Sequence, residues 1–266
     1  MNITPISRAQ IKNVTSLRIK KYRDGQNAFV AEGRKCISEL LAGFEPQMLV
    51  VRDGAQPAAA EDARHYDLFP TVVRATEQQM KQMSMLVTPT DCLVVFRQAE
   101  DNDIDSRIPD YVLALDGVQD PGNLGTIIRT CDWMGVGTVL CSEQTADCYS
   151  PKVVQSTMGA LSRVRLVYTG LDTALTRLKE QGYQVFGTVM DGENIYASDA
   201  VRDAERAVIV MGNEGNGISA DILRLVTHRL TIPAFTGSHV ESLNVSIATA
   251  LVLSEFQRNR LKFSNS

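Results

Sequence analysis

Two patterns alternate along most of the chain. Continuous apolar runs such as YVLALDG, GTVLCS, VRLVYT, YQVFGTVM and AVIVMG read as strands buried on both faces. Between them lie segments with apolar residues at helical spacing. Leu124, Ile127, Ile128 and Cys131 form one such stripe, LDTALTRLKEQG closes another on Gly182, and PKVVQSTMGAL reads as a third helix. A short helix, ADILRLVT, leads to the strand RLTIPAF, and a long helix from about Leu243 to Arg260 ends the pattern. Buried strands separated by helices predict an α/β fold with a mostly parallel sheet covered on both faces.

The first hundred residues use the same elements in a smaller arrangement. Asn13 to Lys20 reads as a basic helix, and FVAEGRKCISELLAGF as a strand, a Gly turn and an amphipathic helix. MLVVRD and CLVVFR are strands on either side of the helical EQQMKQMS. This predicts a small α/β domain. The stretch QAEDNDIDSRIPD, residues 98–110, carries five acids and one base with no apolar periodicity, and reads as a linker. The expected division is residues 1–100 and residues 107–266.

Composition narrows the function classes. With 266 residues, 44% hydrophobic and 22% charged, the chain is globular, which excludes disordered and collagen-like classes. The N-terminus shows no secretory signal, and the apolar stretch from Val245 to Leu253 is too short to span a membrane. Five cysteines without a Cys-x-x-Cys oppose a disulfide framework or a cysteine-built zinc site. The expectation is a cytoplasmic protein without membrane or metal. A net charge of −4 argues against nucleic acid, but residues 1–35 hold eight bases (Arg8, Lys12, Arg18, Lys20, Lys21, Arg23, Arg34, Lys35) against two acids. Such a local field attracts phosphate, although a solvated helix face has the same composition.

Three segments carry candidate chemistry. In DGVQDPGNLGTIIRT (Asp116–Thr130), Asn123 precedes the apolar stripe, where Asn serves as a helix N-cap, and Arg129 lies off that stripe. In VIVMGNEGNGIS (Val208–Ser219), a strand runs into glycines 212, 215 and 217, which let backbone approach a ligand at the carboxyl end of a sheet. Their spacing and late position are not those of a dinucleotide fingerprint, which opposes a nucleotide-dependent oxidoreductase. In IPAFTGSHVESLNVSIATA (Ile232–Ala250), a polar loop enters a helix at Ser242, Leu243 and Asn244, with Ser242 a candidate cap. That helix is apolar nearly all round, so it is expected to bury one side on the sheet and the other on a second subunit.

Together, in this order, the three segments resemble the SpoU family of RNA ribose 2′-O-methyltransferases within the SPOUT superfamily. The front region is similar to the small α/β RNA substrate-binding domain that often precedes the SpoU catalytic domain. The resemblance implies a C-terminal trefoil knot, S-adenosyl-L-methionine as cofactor, and RNA as substrate, ribosomal RNA more readily than tRNA; the apolar surface of the last helix predicts a homodimer. It implies that Gly212, Ile232 and Leu243 hold the cofactor, and that Asn123, Arg129, Glu214, Ser242 and Asn244 form the catalytic site. The loop from Ile232 to Ser242 is longer than the commonest family form. An RNA-binding adaptor that keeps the fold without the chemistry is the other class considered, and the intact Asn123, Arg129, Ser242 and Asn244 oppose it.

The chemistry implied is displacement at a methyl carbon by a ribose hydroxyl, a poor nucleophile until deprotonated. None of the three histidines, His65, His228 and His239, stands at a matched position. A guanidinium is a poor base, so Arg129 reads as a fork that grips phosphate and orients the 2′-oxygen rather than as a plain base.

Overall fold

The computed structural model of the chain describes residues 3–55, 67–99, 108–234 and 242–263. His65, His239, most of the acidic 98–110 stretch and most of the loop between Ile232 and Ser242 lie outside the described residues. Two compact units are distinguished by their internal contacts: Met1–Glu100 with Asp147–Ser162, and Asp101–Ala146 with Arg163–Ser266.

The first unit holds a mixed sheet of β1 (Thr4–Pro5), β2 (Ala28–Glu32), β3 (Pro46–Arg52), β4 (Val72–Ala75) and β5 (Cys92–Arg97), in the order β1-β4-β3-β5-β2. Helices α1 (Arg8–Ser16), α2 (Lys20–Gln26), α3 (Arg34–Leu40) and α4 (Glu77–Met83) accompany it. The helix expected over Asn13–Lys20 is two helices. A capping box between Ser7 and Gln10 starts α1, and β-branched Ile19, in extended backbone, separates it from α2 while Leu17 enters the core.

The same unit includes α6 (Pro151–Ser156) and a short 3-10 turn, Ala160–Ser162. The single helix expected over PKVVQSTMGAL is interrupted because Met158 and Gly159 both take positive φ, 51° and 91°. At Gly159 an added Cβ would lie 2.2 Å from the Glu39 side chain, so only glycine fits. Tyr149 packs its ring 4.9 Å from that of Phe29. Arg23 is buried rather than part of a basic surface: its guanidinium donates to the carbonyls of Leu17 and Arg18, at 2.8 and 2.9 Å, and pairs with Asp147.

In the second unit every strand pair is parallel. The strands are β6 (Tyr111–Asp116), β7 (Thr138–Cys141), β8 (Arg165–Tyr168), β9 (Gln184–Asn194), β10 (Ala207–Gly212) and β11 (His228–Thr231), in the order β11-β9-β10-β6-β7-β8. Val112 to Leu115 and Val208 to Met211 are buried, as expected of apolar runs covered on both faces. The helices are α5 (Pro121–Trp133), α7 (Leu171–Glu180), α8 (Asp199–Arg202), α9 (Ala220–Leu223) and α10 (Val245–Phe263). His228 stacks on Phe186, ring centroids 4.9 Å apart, and has a packing role. In α10, Val245, Thr249, Val252, Leu253 and Phe256 are buried, while Ile247 and Leu251 stay exposed. One side of that helix is therefore covered within the chain. No helix among the described residues is long and apolar enough to cross a membrane.

The Arg23–Asp147 pair yields a stability prediction. Asp147→Asn leaves a buried guanidinium without its counter-charge, and is expected to cost about 3 kcal/mol in urea denaturation. Removing the exposed partner of Lys20, by Asp24→Asn, is expected to cost less than about 0.5 kcal/mol in the same measurement.

Candidate active site

Because all six strands of the second unit run parallel, their carboxyl ends share one edge. From β6 the chain steps outward through β7 and β8, then crosses to the other side of β6 for β9, β10 and β11. Such a reversal opens a crevice outside the carboxyl ends of the central strands. Those strands are β6 and β10, paired to their last residues, Asp116 opposite Gly212. The first two motif segments therefore leave the sheet side by side.

The loop after β10 folds back on itself. Asn213 and Gly217 exchange backbone hydrogen bonds of 2.9 Å, and Gly217 takes φ +69°. A Cβ on Gly212 would lie 2.2 Å from the Gly217 carbonyl carbon, so this turn requires glycine at both positions. Two further bonds tie the loop to the end of β6. Ser219 N donates to Asp116 Oδ2 and Asn213 Nδ2 donates to the Gly117 carbonyl, each at 2.7 Å.

Helix α5 begins at Asp120, whose Oδ1 accepts from Asn123 N at 2.8 Å, with Pro121 in the first turn. Asp120, not Asn123, is the N-cap. The Asn123 side chain is thereby released from capping and faces the other motifs. Its Nδ2 donates to Glu214 Oε1 at 2.8 Å, and its Oδ1 accepts from Asn244 Nδ2 at 2.9 Å. At the start of α10 the cap is Asn244 rather than Ser242: Asn244 Oδ1 accepts from Ser246 N at 2.9 Å and from Ser246 Oγ at 2.6 Å.

The direction of this chain is determined from one end. The backbone N–H of Ser246 can only donate, so Asn244 must turn Oδ1 to it and Nδ2 to Asn123. Asn123 then offers Oδ1 to Asn244 and has Nδ2 left for the Glu214 carboxylate. One residue from each motif segment is joined in a single hydrogen-bonded line.

The other expected residues stand around that line. Arg129 is exposed on α5, six residues past Asn123, and its side chain makes no hydrogen bond or ion pair among the described residues. Ser242 is exposed just before α10 and likewise makes none among them. Ile232 follows β11 and is half-buried, and Leu243 is 49% exposed. Sequence reasoning missed Asp120, although Asp before Pro at a helix start is a capping signal. It also missed Asn213, for which the loop gave no local signal. The five cysteines are free and buried, and burial pushes the Cys131 thiol on α5 well above the ordinary thiol range. A thiolate nucleophile is thus disfavoured there.

The loop geometry separates two glycines. Gly212→Ala must displace Gly217 backbone and break the turn, so its melting temperature should fall by several degrees. Gly215→Ala places its Cβ at an ordinary 3.5 Å from Asn213 Oδ1, and its melting curve should overlay that of the wild type.

Residues 110–254 match the SpoU rRNA Methylase family, and residues 8–93 match the MRM3-like substrate binding domain. The chain is 29% identical over 246 residues to the 23S rRNA (guanosine(2553)-2′-O)-methyltransferase RlmP of Bacillus subtilis, covering 92% of this chain and 94% of that one. A TrmH-family structure from Porphyromonas gingivalis superposes with a TM-score of 0.84 at 39% identity, over 95% of this chain and 98% of the other. An AdoMet-bound rRNA methyltransferase from Sinorhizobium meliloti gives a TM-score of 0.83 at 28% identity, over 96% and 97%.

Proposed function

The chain belongs to the SpoU rRNA methylase family, and from that premise we propose that it methylates a ribose 2′-hydroxyl in 23S rRNA with S-adenosylmethionine as donor. The observation that carries the reading is the hydrogen-bonded line of Glu214, Asn123 and Asn244, which draws three distant segments to the carboxyl edge of one sheet. The similarity to a 23S rRNA enzyme over almost the whole chain supports ribosomal RNA over tRNA.

The residues present suit the cofactor. Gly212 ends β10, Ile232 follows β11 and Leu243 precedes α10, and we assign them to binding. Leu243 offers apolar surface, and the exposed backbone of Gly215 to Gly217 is unshielded by large side chains. When bound, S-adenosylmethionine supplies a methyl group already activated on a sulfonium.

What remains for the chain is the nucleophile. The planar fork of Arg129 can grip an RNA phosphate while donating to the 2′-oxygen. The hydroxyl proton then passes to phosphate or water. Ser242 and Asn244 complete the hydrogen bonding around the ribose, and Glu214 holds Asn123 in place. Positioning of this kind lowers a barrier by several kcal/mol. In this reading residues 1–100 receive the RNA, with exposed Arg8, Lys12, Lys21 and Lys35 offered to phosphate, and the catalytic region carries the family's trefoil knot.

The assembly proposed is a homodimer. Ile247 and Leu251 on α10, Leu243 before it, and Trp133 on α5, 88% exposed, leave apolar surface that a second copy would cover. The buried free thiols are compatible with a reducing cytoplasm.

Mass-spectrometric mapping of ribose methylation tests the activity, using RNA from cells with and without the gene. One 23S rRNA 2′-O-methyl group should disappear without the gene; a loss in tRNA instead would overturn the substrate. Restoring the gene as Arg129→Lys keeps the charge but loses the fork. Methyl transfer should then fall by about 100-fold or more, with cofactor affinity by calorimetry nearly unchanged. Light scattering at micromolar concentration should give a dimer mass, and Ile247→Asp should shift it to the monomer.

A further inference from the structure

Asn213 has no catalytic or cofactor role above, yet both ends of its side-chain amide are used. Oδ1 accepts from Gly215 N at 2.9 Å and Asn216 N at 3.1 Å, closing the turn that presents Glu214. Nδ2 donates to the Gly117 carbonyl at 2.7 Å, fastening that turn to the end of β6. Gly117 is itself held, because its N–H donates to Ser142 Oγ at 2.9 Å. The Ser142 hydroxyl is buried 3.2 Å from Thr145 Oγ1, which donates to the Leu115 carbonyl at 3.0 Å. A line of bonds therefore runs from the sheet core through Gly117 to Asn213, the residue before Glu214, and on to the backbone just after it.

We propose that Asn213 is a positioning residue for methyl transfer, acting through Glu214 on Asn123 and Asn244. The proposal rests on the reading of that trio as part of the methyl-transfer site. Glu214 is exposed, and a carboxylate on an exposed loop has many rotamers and a mobile backbone unless the loop is tied down. Asn213 supplies the tie, and its side-chain type is specific to the task. Aspartate can accept from the turn but cannot donate to Gly117. Serine can close a turn but is too short to span to β6. Only a short side chain with a donor and an acceptor on one carbon does both.

A double-mutant cycle tests this with the full-length protein and 23S rRNA from cells lacking the gene. Asn213→Asp is expected to lower kcat by on the order of 10- to 100-fold, the scale of a displaced catalytic group. KM for RNA and the affinity for S-adenosylmethionine should change little. Asn213→Ser should behave alike, and carries the cycle if the aspartate variant does not fold. Glu214→Ala should lose a similar factor, and adding Asn213→Asp to it should cost nothing more, because both act through one line. Multiplied losses in the double variant would overturn the proposal, as would failure of both Asn213 variants to fold. Wild-type turnover by Asn213→Asp beside an impaired Glu214→Ala would overturn it alone. Wild-type turnover by Glu214→Ala would instead remove Glu214 from the site, and the Asn213 proposal with it.

Discussion

A helix end sets the polarity of the whole candidate site. The first N–H groups of α10 have no partners within the helix, and Asn244 supplies one with its side-chain oxygen. That commitment leaves Asn244 with only a donor to offer, which commits Asn123 in turn and directs its own donor to Glu214. The arrangement needs Asn123 to be free of capping, and Asp120 provides this by capping α5 three residues earlier. Two helix ends and one strand-following loop therefore specify each other. Replacing either asparagine by aspartate would leave two acceptors facing each other, although the shape would be preserved.

Close approach is the second constraint. Gly212 ends a strand buried on both faces, and the chain must reverse immediately to place Glu214 beside α5. The reversal brings Gly217 backbone to where a side chain at 212 would be. Glycine at 212 and 217 gives up local stability, since glycine loses more conformational freedom on folding than other residues. The bonds from Asn213 and Ser219 to the end of β6 offset that loss. Glycines permit the turn and polar side chains hold it, which is why the segment mixes the two.

Much of the second unit was legible in the sequence because its strands are buried on both faces. Runs such as YVLALD and AVIVMG have no polar face, and that pattern belongs to parallel sheets covered by helices. Helix ends were harder to read. Asn123 and Ser242 both occupy positions where a cap is plausible, and Asp120 and Asn244 do the capping through local bonds; what the local pattern does not register is the partner that claims the Asn123 side chain, Asn244, 121 residues away. Arg23 was misread for a related reason. Its charge placed it with the surface bases, while the acid that buries it, Asp147, is over a hundred residues distant. The break between α1 and α2 and the left-handed Met158–Gly159 pair depend on packing against Leu17's neighbours and Glu39, which periodicity does not register.

The order of residues along the chain and their order in space also part company between β7 and β8. Asp147–Ser162 falls within the 110–254 span that matches the methylase family, yet its contacts are with the first unit: Tyr149 with Phe29 and Phe44, Cys36 with the Val154 carbonyl, Asp147 with Arg23. The pairing of Asp147 with Arg23 is ionic and buried, so exposing either partner alone is costly, and the aromatic cluster around Phe29 would lose a ring if the segment withdrew. The first unit is thus completed by residues that the sequence delivers only after the first helix and two strands of the methylase region have been made. Its stability draws on chain that a division at the acidic stretch would assign elsewhere, and an N-terminal fragment ending there would leave the Arg23 guanidinium and the Phe29 ring without those partners.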